Sequence, residues 1–147
     1  MRIKLLELLL LEKKTKINYG CALKGNLLKL IKNKLFKSSI KYDSAKLYAI
    51  CIYLLVKEIK DKINLLIICN DADFSIVKEK LSSLLEEHNF EIINISEFRN
   101  RLGRKIGSLA DNYANIYRRR ALKIIRGLHG RKINIIKVNF DTINTLW

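Results

Sequence analysis

Apolar residues along this chain alternate between two spacings, and the changes of spacing mark its elements. After Asp43 they fall at 47, 50, 51, 54 and 55, the i, i+3, i+4 rhythm of a helix that runs to about Ile59. Asp43 or Ser44 stands where such a helix is capped. "INLLIIC" (63–69) is apolar without polar alternation, as strands buried on both faces of an α/β sheet are. The pattern then predicts a helix from about Phe74 to His88, stopped at Asn89, and a strand over "FEIINIS" (90–96). "EFRNRLGRKIG" (97–107), with two glycines and four basic residues, reads as a loop. Ser108 starts a helix over 109–128, and "KINIIKVNF" (132–140) is predicted as the last strand, with Gly127 and Gly130 at its entry. From residue 43 onward helix and strand thus take turns. That order predicts an α/β fold, a three-layer domain with a mixed, largely parallel sheet.

Before residue 43 the pattern decides less. Residues 2–12 are apolar almost throughout and are either a buried strand or a short helix. "KINYGCALK" (16–24) reads as a strand. Gly25 and Asn26 can turn the chain into "LLKLIKNKLF" (27–36), which is either a further strand or a helix with apolar 27, 28, 31 and 35. Nothing marks a linker or a repeat, so the 147 residues are read as one domain; at 49% hydrophobic, they can bury a core without staples.

Charge changes the picture from fold to partner. Lys and Arg number 29 against 14 Asp and Glu, a net +15. Such an excess speaks about partners and solubility, and its natural counterpart is a polyanion, nucleic acid before an anionic membrane or an acidic protein. Arginine is segregated more sharply than lysine: of nine arginines, eight lie between Arg99 and Arg131. Over 99–132, eight Arg and three Lys face one acid, Asp111, for a net +10. Arginine's planar fork grips phosphate in two places, whereas lysine is a hydrated point charge.

On the predicted helix 109–128, Leu109, Tyr113, Ile116, Tyr117, Ile124, Ile125 and Leu128 supply an apolar stripe. Asn112, Asn115, Arg119, Lys123 and Arg126 recur at i+3 and i+4 as a polar, basic one, flanked by Arg118. Such a stripe can track a phosphate backbone, and Arg99, Arg101, Arg104, Lys105, Arg131 and Lys132 extend it at both ends. An ordinary solvated face, or basic residues complementing the helix dipole, would produce part of the same pattern. Tyr113 and Tyr117 suit base stacking, though tyrosines at helical spacing more often belong to a core.

Other chemistry is sparse. No G-x-x-x-x-G-K-[ST] or G-x-G-x-x-G occurs, which argues against an ATPase or a dehydrogenase. Cys21, Cys51 and Cys69 form no C-x-x-C and sit in apolar runs, as buried thiols of a reducing compartment do. With only His88 and His129 beside them, no zinc set can be assembled. "LYAICIYLLV" (47–56) is about half the ~20 residues that span a bilayer. Glu7 interrupts the apolar start, and no cleavage site follows it. A cytoplasmic protein without a membrane span is therefore expected. The chain has no Pro and no Gln; loss of Gln is one mark of heat-adapted proteins.

Three acids stand out as candidate ligands. "LLIICNDAD" puts Asp71 and Asp73 at the carboxyl end of a predicted strand, where open α/β sheets build sites. Two acids at i, i+2 on extended chain point to one side and suit a divalent cation, while Asp73 is equally a helix N-cap. Asp111 follows Ser108 as in a capping box. Glu7 within "LLELL" is a ligand, a lysine's partner or the exposed side of a helix. With 2–12, 16–24 and 27–36 taken as three strands, the chain resembles the ribonuclease H-like superfamily. The places of that fold's catalytic acids would hold Glu7, Asp71 and Asp111. The resemblance implies hydrolysis of phosphodiesters with Mg²⁺ or Mn²⁺ held by those three residues.

The expected function is nucleic-acid binding, to DNA or RNA, in its sharper form a Mg²⁺- or Mn²⁺-dependent nuclease. A non-enzymatic DNA- or RNA-binding module is the alternative. A third is a structural protein that assembles through apolar surfaces, as in a homodimer, its charge serving solubility.

Overall fold

A computed structural model describes residues 6–11, 18–23, 25–69, 72–103 and 134–147. The chain divides into two compact units, one made of 1–36 with 109–147 and the other of 37–108. Helices and strands are both present, and the fold is of mixed α/β character.

In the first unit, β1 (Leu6–Leu11) and β2 (Asn18–Leu23) pair antiparallel, with Leu6 opposite Leu23 and Leu11 opposite Asn18. Within the apolar start, Leu6–Leu11 is therefore strand. β2 also pairs in parallel with β5 (Asn134–Ile135), through Tyr19 with Asn134 and Gly20 with Ile135. The sheet order is β1-β2-β5. Cys21 and Leu23, two apart on β2, are both buried, as residues on one face of a strand are.

Residues 27–35 are helical, not a third antiparallel strand. α1 spans Gly25–Leu35. Leu and Lys dominate it, both good helix formers, and its apolar residues lack the period of two that a strand needs. Leu28 and Ile31 are buried on one side of it. α1 packs against the last helix, α5 (Phe140–Leu146), where Ile143 is fully buried. The rings of Phe36 and Trp147 stack 5.6 Å apart.

The predicted strand 132–140 shrinks accordingly: Asn134–Ile135 is strand, and Phe140 already belongs to α5. Asn139 caps that helix, its Oδ1 accepting from the Thr142 amide and hydroxyl, both at 2.9 Å. A local cap outweighed the β-rich composition.

The second unit holds α2 (Ile40–Val56), β3 (Leu65–Ile68), α3 (Phe74–Leu85), β4 (Glu91–Asn94) and α4 (Ile95–Leu102). α2 begins earlier than expected. Ser39 caps it through the Tyr42 amide, while Asp43, buried in the first turn, accepts from the Ser38 amide at 2.8 Å. Leu47 to Ile52 are buried without a gap, so α2 is apolar all round, as central helices are. α3 packs along it and buries Val77, Leu81 and Leu85, a stripe at i, i+4, i+8. α3 ends at Leu85 rather than His88, because Glu86 takes up φ 57° and breaks the helix.

β3 and β4 pair in parallel from Leu65–Glu91 to Ile68–Asn94, as the alternation of elements predicted. Burial on β3 alternates, however. Leu66 and Ile68 are buried and Leu65 and Ile67 half-buried, so one face is covered better than the other. On β4 the neighbours Ile92 and Ile93 are both buried.

The expected loop after β4 is helical in its first part. Asn94 Oδ1 accepts from the Glu97 amide at 2.8 Å, and Gly103 ends α4 in the left-handed conformation at φ 66°. Asn94, Glu97 and Gly103 together form a start-and-stop signal that a count of basic residues and glycines hides. No helix among the described residues is long and apolar enough to cross a membrane. No disulfide joins Cys21, Cys51 and Cys69; the first two are buried and the third is half-buried.

Candidate nucleic-acid interface

α4 carries the first two arginines of the basic segment. Arg101 is held from two sides. Its Nη1 and Nη2 donate to Glu91 Oε1 and Oε2 at 2.8 and 2.7 Å, and Nη2 also donates to Glu97 Oε1 at 2.9 Å. The fork-to-fork pair spans from β4 to α4, and the Glu97 contact runs i, i+4 along the helix. Hydrogen bonds from Arg101 hold the Glu91 carboxyl below its ordinary range, and the two glutamates raise Arg101 further above its own. All three side chains are about half exposed, so the pairs orient Arg101 more than they stabilise the fold. A phosphate reaching Arg101 would compete with Glu91 for the same fork. Arg99, on the same helix, is half-buried.

The acid end of β3 is described at Asp73. Its Oδ1 accepts from the Ser75 amide, the Ser75 hydroxyl and the Ile76 amide at 3.1, 2.7 and 3.4 Å. Its Oδ2 pairs with Lys41 Nζ at 3.2 Å. Asp73 is thus the N-cap of α3. The Ser75 hydroxyl, then Lys41 and the Ile76 amide, lower its carboxyl from the ordinary carboxylate value. Both oxygens are engaged within the protein. Among the described residues no three His, Cys, Asp or Glu side chains come together as a metal ion would require.

Glu7 lies on β1 opposite Ala22. Asp71 and Asp111 lie outside the described residues, as do Arg104, Lys105, Arg118, Arg119, Lys123, Arg126, Arg131 and Lys132.

Division of the chain into units sorts its charge. Residues 1–36 hold nine basic residues and two acids, a net +7; 37–98 hold eight and ten, a net −2; 99–147 hold twelve and two, a net +10. The first unit, 1–36 with 109–147, collects seventeen basic residues against four acids, or +13 of the total +15. The second collects twelve against ten, or +2. Attention to the arginines alone passes over the lysines of the N-terminal third, Lys29, Lys32 and Lys34 of α1 among them. A charge balance taken in blocks along the chain would have found them. Comparison with protein families, with curated proteins and with solved structures finds no match to this chain.

Proposed function

We propose that this protein binds nucleic acid through the phosphate backbone. The observation that carries the reading is the net +10 over 99–132, built from eight of the nine arginines with one acid among them. Phosphate contacts position a protein on nucleic acid without reading bases, so little sequence preference is expected. With five or six phosphates neutralised, log affinity for duplex DNA falls against log salt with a slope near −5. Titration of a labelled duplex at several salt concentrations tests this. Arg119→Ala with Lys123→Ala should weaken binding on every sequence alike. No association at low salt, or association indifferent to salt, refutes the reading.

Its sharper form adds chemistry. In the sequence Asp71 follows Ile68, the last residue of β3, by three positions, and the carboxyl end of parallel strands is where α/β sheets build sites. In that form acidic side chains, Asp71 among them, hold Mg²⁺ or Mn²⁺, and the protein cleaves what it binds. Repeating the titration with Mn²⁺ and looking for cut product tests it. Binding without cutting leaves a non-enzymatic DNA- or RNA-binding module.

A further inference from the structure

α1 has the makings of a second contact surface. Asn26, Lys29, Leu30, Asn33 and Lys34 are exposed, and Leu28 and Ile31 are buried on the opposite side. At about 100° per residue, the exposed arc has a fixed layout. Asn26, Leu30 and Asn33 run along its middle. Lys29 lies on one flank with the half-buried Lys32 beyond it, and Lys34 lies on the other. No acid occurs on the helix. Among the described residues no carboxylate pairs with these lysines, in contrast to Lys41 and Arg101 of the second unit.

We infer that this exposed face of α1 lies in the major groove of double-stranded DNA, its lysines on the two phosphate walls and Asn26, Leu30 and Asn33 toward the floor. The inference rests on the nucleic-acid reading above and places part of the contact outside the arginine segment. Three observations support it. The first is charge complementarity: α1 belongs to the unit that carries +13, and the buried stripe of Leu28 and Ile31 leaves the basic side outward. The second is the layout. Positive charge on both flanks of a polar strip matches a groove with phosphates on both sides, whereas a flat anionic surface asks for charge in the middle. The third is size. A helix is about 10–12 Å across, and the B-form major groove is about 12 Å wide. The A-form groove of duplex RNA is too narrow for it. The face offers no aromatic ring on which the bases of a single strand could stack. The side-chain amides of Asn26 and Asn33 can meet base edges as donor and acceptor, and Leu30 offers an apolar contact to a thymine methyl, so this face adds a minor base preference to the backbone binding of the arginine segment.

The full chain serves for the test, with labelled DNA and RNA of matched length. Lys29→Gln with Lys34→Gln should make the salt slope on duplex DNA shallower by about 1.8, since each lost phosphate contact removes about 0.9. Asn26→Ala with Asn33→Ala should lower affinity for duplex DNA while leaving the slope as it was. Lys57→Ala with Lys62→Ala, exposed positions of the second unit, should change neither. Circular dichroism confirms that each variant is folded like the parent. An unchanged slope for the lysine pair, when Arg119→Ala with Lys123→Ala does reduce it, overturns the role of α1 and leaves the wider reading standing. Equal losses on single-stranded DNA or on duplex RNA overturn the groove placement. Failure of the parent chain to bind any of them overturns the wider reading itself.

Discussion

Ile68 and Ile67 are neighbours of the same size on the same strand, and they should respond differently to truncation. Ile68 is 3% exposed, beside Leu66 on the better covered face of β3. Changing it to Ala removes three carbons, worth about 0.8 kcal/mol each when buried, or about 2.4 kcal/mol of transfer free energy. The cavity left behind adds about 24 cal/mol per Å³ that fails to close, so ~3–4 kcal/mol is expected in all. Ile67 is half-buried, and a gap there opens to solvent, so roughly 1 kcal/mol is expected for Ile67→Ala. Denaturant unfolding followed by circular dichroism reads both costs as shifts of the midpoint at constant slope. Equal costs at the two positions, or less than about 0.5 kcal/mol at Ile68, would refute the one-sided burial of β3 and with it the packing assigned to the parallel pair.

Two further outcomes are expected. Glu86 sits at φ 57°, ψ −112°, a conformation that costs a side-chain-bearing residue about 1–3 kcal/mol and glycine little. Glu86→Gly should therefore stabilise the protein by about 1 kcal/mol after the entropy lost by glycine is subtracted, raising the melting temperature by ~2–8 °C; a fall would contradict the strain. Glu91 is held below its ordinary value of 4.5 by Arg101, so its contribution to stability is present above that pH and is lost as pH falls through the lowered native value. The melting difference between wild type and Glu91→Gln should be seen at neutral pH and shrink toward zero in acid, and a difference that persists undiminished would discard the pair as its cause.

Much of the second unit can be read from residues alone, because its signals are local and agree with one another. The stripe Val77, Leu81, Leu85 and the run "INLLIIC" each point to one element, and Asp73 caps the helix that follows it. Errors fell where two signals competed. "EFRNR" is rich in charge and precedes a glycine, which suggests a loop, but Asn94 and Glu97 form a helix start and Gly103 its stop. "KVNF" is β-rich, but the side chain of Asn139 closes a helical turn. Residues 27–36 had two readings because their apolar spacing is short; a helix won through residues with high helical propensity. For the candidate site, Asp73 was legible as a cap, and the arginine cluster was legible as charge. The engagement of Arg101 was not, since Glu91 is ten residues away and meets it only once β4 and α4 are formed. Nor was the company that α1 keeps, because its partner helix lies more than a hundred residues later.

Pairing of Tyr19 with Asn134 joins positions 115 residues apart, and a contiguous unit of the chain lies wholly between them. This separation sets an order of events during folding. β1 and β2 can meet early, because they are close in sequence, but the sheet they begin lacks β5 until nearly all of the chain is available. Residues 37–108 need no such wait, since the pairing of β3 with β4 and the packing of α2 on α3 lie within that stretch. Each halving of the open loop between β2 and β5 recovers only ~0.6 kcal/mol, so prior formation of the inserted unit contributes little to final stability. The separation bears on rate instead, because loop closure must precede the contacts that reward it. On a ribosome, the hairpin would remain an open-edged pair of strands until residue 135 emerges, and that interval is when the chain is most exposed to wrong pairing.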